Sequence, residues 1–182
     1  MSKRKPSISW PRFWRDEDGQ VAIEFFIITP LLFSLFMTAM ELGVYSMRQM
    51  WLDRGLDIAV RQVRLNTSNI PTHDALKDTI CVNAGFLPDC QNSLKLEMIR
   101  VDPRSFSTLD GDVDCVDRSL PIASQEDPNY ITGNEHDLMM LRACVKFTPV
   151  FPTTGLGFAF DKDGAGQASM TAMSAFVQEP GD

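Results

Sequence analysis

The sequence is poor in histidine, the side chain most often used as a general base. It contains only two histidines, His73 and His136, and both fall in polar segments where a surface position is a simpler interpretation than a general base. A Gly-x-Ser-x-Gly nucleophile motif is missing, and the stretch "GLGFAF" is not followed by the Lys-Ser/Thr pair of a phosphate-binding loop. We therefore predict no enzyme, no cofactor and no small-molecule substrate.

Positive charge is also scarce, which bears on the partners of the chain. The 24 acidic residues outnumber the 17 basic ones, for a net charge of −7. An acidic protein repels phosphate, so nucleic acid is not an expected partner. The stretch "DGDVDCVD" is a weak calcium candidate through three carboxylates at alternate positions, but its glycine is misplaced for an EF-hand loop and the twelfth position is Pro121 instead of glutamate. We therefore favour solvated loop acids for Asp110, Asp112 and Asp114.

Charge is absent altogether from residues 25–40, within an apolar segment near the N-terminus. A helix over residues 21–45 would be about 37 Å long, enough to cross a bilayer. The first 19 residues hold five of the basic side chains but only three of the acidic ones. The positive-inside rule therefore predicts a cytoplasmic N-terminus and an exported, acidic remainder.

The pattern of apolar residues predicts an α+β fold, in which a long N-terminal helix precedes a small antiparallel sheet. We expect a basic leader over residues 1–19, a transmembrane helix over 20–45, an amphipathic extension over 46–66 and a periplasmic domain over 67–182. Within the extension a helical stripe is formed by Leu52, Leu56, Ala59, Val60 and Val63. In the domain we expect a helix over 74–85, a long loop over 103–135, and strands over 93–101, 138–150 and 166–178.

All four cysteines lie in the part predicted to be exported, where an even number indicates disulfides. Three connectivities are possible. We favour Cys81–Cys90, which closes a short loop, together with Cys115–Cys144, which ties a long acidic loop to a strand. A zinc site is disfavoured because no Cys-x-x-Cys pair is present and neither histidine is near the cysteines at ligand spacing.

The apolar segment "GQVAIEFFIITPLLF" contains one carboxylate, Glu24, close to its start. One interpretation places Glu24 at the cytoplasmic interface, where its side chain reaches water at little cost. The other requires a partner for the charge. Pro30 interrupts the same segment, either as a tolerated kink or as a bend that fits the helix into a bundle.

The stretch "DGQVAIEFFIITPLLF" is similar to the N-terminus of type IV-pilin-like precursors. It most closely resembles the TadE/TadF family of minor pseudopilins of the tight-adherence (Flp) pilus system. In that family a basic leader ends at a glycine, a glutamate follows five residues later, and Glu-Phe precedes four apolar residues and a proline. Gly19, Glu24, Phe25 and Pro30 match this pattern. The segments "ELGVY" and "LDIAVRQVR" also resemble the family, so the likeness covers roughly residues 12–65.

The resemblance implies that a prepilin peptidase cuts after Gly19 and leaves Gln20 as the new N-terminus. The new α-amino group has an ordinary pKa of about 8 and would lie one helical turn from Glu24, or within reach of the same residue in a neighbouring subunit. The implied role is that of a minor pseudopilin, of TadE or TadF type, in the bacterial inner membrane or in the pilus. The implied partners are the inner membrane, the prepilin peptidase, other pilins and pseudopilins, and the pilus assembly machinery.

Two alternatives to this interpretation remain at the level of sequence. The first is an uncleaved, single-pass anchor that carries a periplasmic binding or regulatory domain. The second is an exported enzyme with a cleaved signal peptide. The second is disfavoured because the apolar run is longer than a usual signal-peptide core, contains Pro30 and is followed by no clear Ala-x-Ala site.

Overall fold

The computed structural model of the chain describes residues 19–104, 113–116 and 129–181. A single helix, α1, runs from Gln20 to Leu65 and continues through Pro30. Its 46 residues correspond to about 69 Å. The predicted apolar helix and its amphipathic extension therefore form one continuous helix.

The two glycines of α1 have different surroundings. A Cβ on Gly43 would meet no atom within 4 Å, whereas one on Gly55 would lie 2.8 Å from the carbonyl oxygen of Ile80. Gly55 is therefore the position at which a second helix approaches the backbone of α1. The predicted helical stripe is buried at the same level, through Leu52, Leu56, Ala59, Val60 and Val63.

Two short helices follow α1. Helix α2 spans His73–Asn83, and Thr72 caps it by accepting a hydrogen bond from the backbone N–H of Ala75 at 3.4 Å. The helix ends at Asn83, two residues before the predicted end. A disulfide between Cys81 and Cys90 joins α2 to the one-turn helix α3, Cys90–Ser93.

Three antiparallel strands form a sheet in the order β1-β2-β3. They span Leu94–Arg100, Leu138–Phe147 and Ala168–Val177. The α+β class and the small antiparallel sheet are thus confirmed. Strand β2 ends three residues earlier than predicted because the chain turns there toward α1. The glycine-containing connector that follows includes a short helix, α4, over Gly155–Ala159.

The hydrophobic core lies between one face of the sheet and the helices α1 and α2. The side chains that fill it come from the buried stripe of α1, from Leu76 and Ile80 of α2, and from alternate residues of all three strands. The opposite face carries charge. There Arg142 lies 3.2 Å from Glu97, both side chains are buried, and Asn129 also donates a hydrogen bond to Glu97 at 3.0 Å.

Candidate functional site

The first part of α1 is apolar on every side and touches nothing else in the described structure. At least half of the surface is exposed for eleven large apolar side chains: Val21, Ile23, Phe25, Phe26, Ile27, Ile28, Leu31, Leu32, Phe33, Leu35 and Phe36. The most apolar 18-residue window of the helix has no buried residue, and α1 meets the length and composition needed to cross a membrane. A helix that is hydrophobic all round requires an apolar environment rather than water.

Two hydroxyl groups near the end of this apolar part, those of Ser34 and Thr38, bond to the helix backbone. The hydroxyl of Ser34 donates to the carbonyl oxygen of Leu31 at 3.0 Å, and that of Thr38 donates to the carbonyl oxygen of Ser34 at 2.8 Å. Such internal bonds let hydroxyl groups enter an apolar medium at low cost. This part of α1 is therefore compatible with a bilayer in its polar groups as well as in its apolar ones.

The residues predicted to take part in processing and assembly lie at the start of α1. Gly19 is the N-cap and Gln20 is the first helical residue. Glu24 is one turn further on and exposed, and it forms no hydrogen bond or ion pair with any residue in the ranges that the structure describes. Phe25 and Pro30 are also exposed on the helix surface. These side chains all precede Thr38, the residue at which the described part of the domain first approaches α1.

The domain first contacts α1 at Thr38 and Glu41, through a segment that we name the junction loop, residues 148–160. The carboxylate of Glu41 accepts hydrogen bonds from two successive backbone N–H groups, that of Val150 at 3.1 Å and that of Phe151 at 2.8 Å. Glu41 is only 1% exposed. It is the one acidic residue of α1 that is buried, and its charge-assisted bonds attach the junction loop to the helix.

Gly155 of the junction loop packs directly against α1. It has a φ of +53°, and a Cβ at this position would lie 2.2 Å from the hydroxyl oxygen of Thr38. Both the left-handed backbone and the close approach require glycine. This glycine opens α4, so the contact with α1 explains why a helix begins in a segment whose composition indicates a turn.

An aromatic cluster continues the contact one turn further along α1. The ring of Tyr45 lies 5.8 Å from that of Phe147, which directly precedes the junction loop, and 5.4 Å from that of Phe160, its last residue. Arg48 lies over the ring of Phe147 at 5.5 Å and donates a hydrogen bond to the carbonyl oxygen of Thr148 at 3.2 Å. Residues 38–45, which the sequence assigned to the transmembrane helix, therefore contact the folded domain.

A tight turn leads from the junction loop into β3 and is organised by Asp163. Its carboxylate accepts hydrogen bonds from the backbone N–H groups of Ala165 at 3.0 Å and Gln167 at 2.9 Å, and it lies 3.3 Å from the amine of Lys146. Partial burial by itself raises the pKa of Asp163, but the bonds from Gln167, Lys146 and Ala165 together hold the pKa below its ordinary value. The folded protein thus favours the ionised form of the Asp163 carboxylate.

The remaining predicted site residues lie in the domain. Both disulfides favoured from the sequence are present, Cys81–Cys90 and Cys115–Cys144. Of the three calcium candidates, Asp110 and Asp112 lie outside the described residues, and Asp114 forms an ion pair with Lys95 at 2.6 Å. No cluster of three potential metal ligands occurs within the described ranges.

Glu41 is the residue whose role sequence reasoning missed. The only available signal was its position, because Glu41 is the first charged residue after the uncharged run over residues 25–40. The stretch "ELGVY" resembles the family but does not indicate a buried carboxylate. The hydrogen-bond partners of Glu41 are 109 and 110 residues away along the chain, so no local pattern could indicate them.

These features define a class: a protein with an exposed apolar helix that carries a small, disulfide-bonded α+β domain. Within that class, residues 19–61 match the family model described as TadE-like protein. The chain is therefore similar to TadE-like proteins over this segment, which confirms the resemblance predicted from the sequence. The matched residues form most of α1 and include none of the sheet. No curated protein and no solved structure matches the chain.

Proposed function

We propose that the protein is a minor pseudopilin, TadE-like in character, that takes part in assembly of a tight-adherence (Flp) pilus. Its role is structural rather than catalytic. Residues 20–37 would form the membrane anchor, about 27 Å long against a hydrocarbon thickness of about 30 Å. The basic leader would remain on the cytoplasmic side and the disulfide-bonded domain would lie in the periplasm.

The observation that carries this proposal is the coincidence of two boundaries at Gly19. The TadE-like match begins at residue 19, and α1 begins at Gln20 with Gly19 as its N-cap. Gly19 itself has an ordinary φ of −95°, and a Cβ there would meet no atom within 4 Å. Since the described structure does not require glycine at this position, recognition by a prepilin peptidase is a fitting reason for its presence.

Gly19→Leu should abolish removal of the leader without changing the folded domain. The measurement is the intact mass of the membrane-extracted chain, from cells with and without an active prepilin peptidase. We expect the native protein to begin at Gln20 only where the peptidase is active, and the variant to retain residues 1–19 in both. Gly43→Ala is the matched control, because Gly43 also has open space around it. A native chain that keeps its leader beside the active peptidase would support the uncleaved anchor with a periplasmic binding or regulatory domain.

Cleavage at Gly19 would give Glu24 a partner. The new ammonium group at Gln20 lies one turn from Glu24, and in an apolar medium the attraction between the two charges offsets the cost of removing both from water. Within one subunit this pair stabilises the helix start. Between subunits it fixes the axial position of one anchor against its neighbour, since the charge on each helix can be neutralised only at one register.

Glu24→Ala should insert in the membrane and be processed, yet fail to join the pilus assembly complex. The measurement is co-purification with the other pilins after mild detergent extraction, normalised to the membrane content of the variant. Glu24→Asp is the matched control, because it keeps the charge and should retain part of the association. Association of Glu24→Ala at the native level would refute the pairing while leaving the anchor and its processing intact.

A further inference from the structure

The junction loop is free of charge in a protein that is otherwise rich in it. Residues 147–160 contain no Asp, Glu, Lys or Arg, although these types make up 23% of the chain. Two of its apolar side chains are well exposed, Val150 at 45% and Phe158 at 71%. Surface connections are ordinarily polar because they face water. An uncharged loop with exposed aromatic and aliphatic side chains therefore points to an apolar neighbour.

Backbone N–H and carbonyl groups of the junction loop also form hydrogen bonds with side chains of the same chain. Glu41 accepts from the N–H groups of Val150 and Phe151. The amine of Lys162 donates to three carbonyl oxygens, those of Pro152 at 3.1 Å, Gly157 at 2.6 Å and Phe158 at 3.3 Å. Unsatisfied backbone groups are costly wherever water is scarce. Two buried or partly buried charges thus make the loop suited to a surface with little water.

The position of the loop along α1 identifies that surface. Gly155 packs on Thr38, which directly follows the part of α1 that is free of the domain. Phe158 follows Gly155 by three residues within α4, which corresponds to about 4.5 Å of helix rise. The interfacial zone on each side of a bilayer is about 5–8 Å deep, judged from its total and hydrocarbon thicknesses. If residues 20–37 span the hydrocarbon, the loop lies at the level of this zone.

We infer that the junction loop docks on the bilayer surface that α1 crosses, with Phe158 and Val150 in the interfacial zone. The inference rests on the proposed membrane anchor. The ammonium of Lys162, 5.8 Å from the centre of the Phe158 ring, then lies where lipid phosphates are found. Since Glu41 and Thr38 join the same loop to α1, contact with the membrane holds the domain at a defined orientation to its anchor. The domain then has a fixed position on the membrane surface instead of moving freely at the end of its anchor.

The test places a single tryptophan at three positions of the full chain. Trp10, Trp14 and Trp51 are replaced by phenylalanine, and one of Phe33, Phe86 and Phe158 is replaced by tryptophan. Each protein is reconstituted into phosphatidylcholine vesicles with or without bromine on the acyl chains, which quenches nearby tryptophan emission. Phe33→Trp reports on the anchor. Phe86→Trp is the matched control, because Phe86 is also exposed, at 49%. It lies two residues after Ala84, which packs beside Gly55, and Gly55 is about 25 Å beyond Thr38 along α1.

We expect brominated lipid to reduce the emission of Trp at 33 and at 158 and to leave that at 86 unchanged. Quenching at 33 without quenching at 158 would overturn the docking of the loop and leave the anchor standing. A blue-shifted emission at 158 that bromine does not affect would place a protein surface over the loop and would also overturn it. Absence of quenching at 33 would remove the anchor and the inference together. Thermal unfolding of each variant, compared with the parent, verifies that the domain is folded.

Discussion

Glu41→Ala should lower the free energy of unfolding of the domain by about 3–6 kcal/mol, since two hydrogen bonds to a charged group are lost and each contributes about 1.5–3 kcal/mol. The N–H groups of Val150 and Phe151 lose their acceptor when the carboxylate is removed. The junction loop should therefore detach from the helix before the core unfolds. The measurements are chemical unfolding of the full chain in detergent micelles and the rate of proteolysis within residues 148–160.

Two matched variants separate this effect from the general consequences of removing a carboxylate. Glu24→Ala makes the same change on an exposed face of the same helix and should leave stability within about 0.5 kcal/mol of the parent, as surface substitutions do. Glu41→Gln keeps one carbonyl acceptor but presents an amide N–H to the second donor, so an intermediate loss is expected. If the junction loop resisted proteases equally well in Glu41→Ala and in the native protein, its attachment through Glu41 would be refuted.

Removal of the Cys115–Cys144 disulfide by a double alanine substitution should destabilise the domain by about 3.6 kcal/mol, from the loop-closure entropy of its 29-residue separation. Cys144 is fully buried in the central strand, and alanine avoids placing a hydroxyl group there. The loss should be accompanied by release of residues 113–116, where Val116 is buried against the rest of the domain. Chemical unfolding without reductant measures the first effect, and hydrogen exchange over 113–116 measures the second.

The second disulfide provides the comparison. Cys81–Cys90 closes a separation of only 9 residues, so the same model gives about 2.6 kcal/mol for its removal. It joins α2 to α3 beside the core, and its loss should leave the exchange of residues 113–116 unchanged. A larger loss of stability from the shorter loop would show that packing around the sulfur atoms, and not chain entropy, dominates the contribution of these bridges.

Much of the N-terminal part could be predicted because its signals are local. An uncharged run over residues 25–40 predicts an apolar helix whatever follows it, and the spacing of Leu52, Leu56 and Val63 predicts the face that is buried. The glycine, glutamate, phenylalanine and proline at residues 19, 24, 25 and 30 carry the family resemblance through residue type and spacing. An even number of cysteines in an exported domain predicts disulfides, and here the loop lengths favoured the pairing that the structure contains.

The sequence alone determined that this chain has one long helix, apolar on all sides at its start and amphipathic after it, with a small disulfide-bonded sheet behind. These properties follow from periodicity and composition over neighbouring residues. Only the tertiary structure decided where the domain meets the helix, because Thr38 and Glu41 find their partners more than a hundred residues later in the chain. For the same reason, a turn-like segment forms α4: Gly155 fits closely on α1 and Glu41 binds the backbone before it, and such contacts have no trace in local sequence.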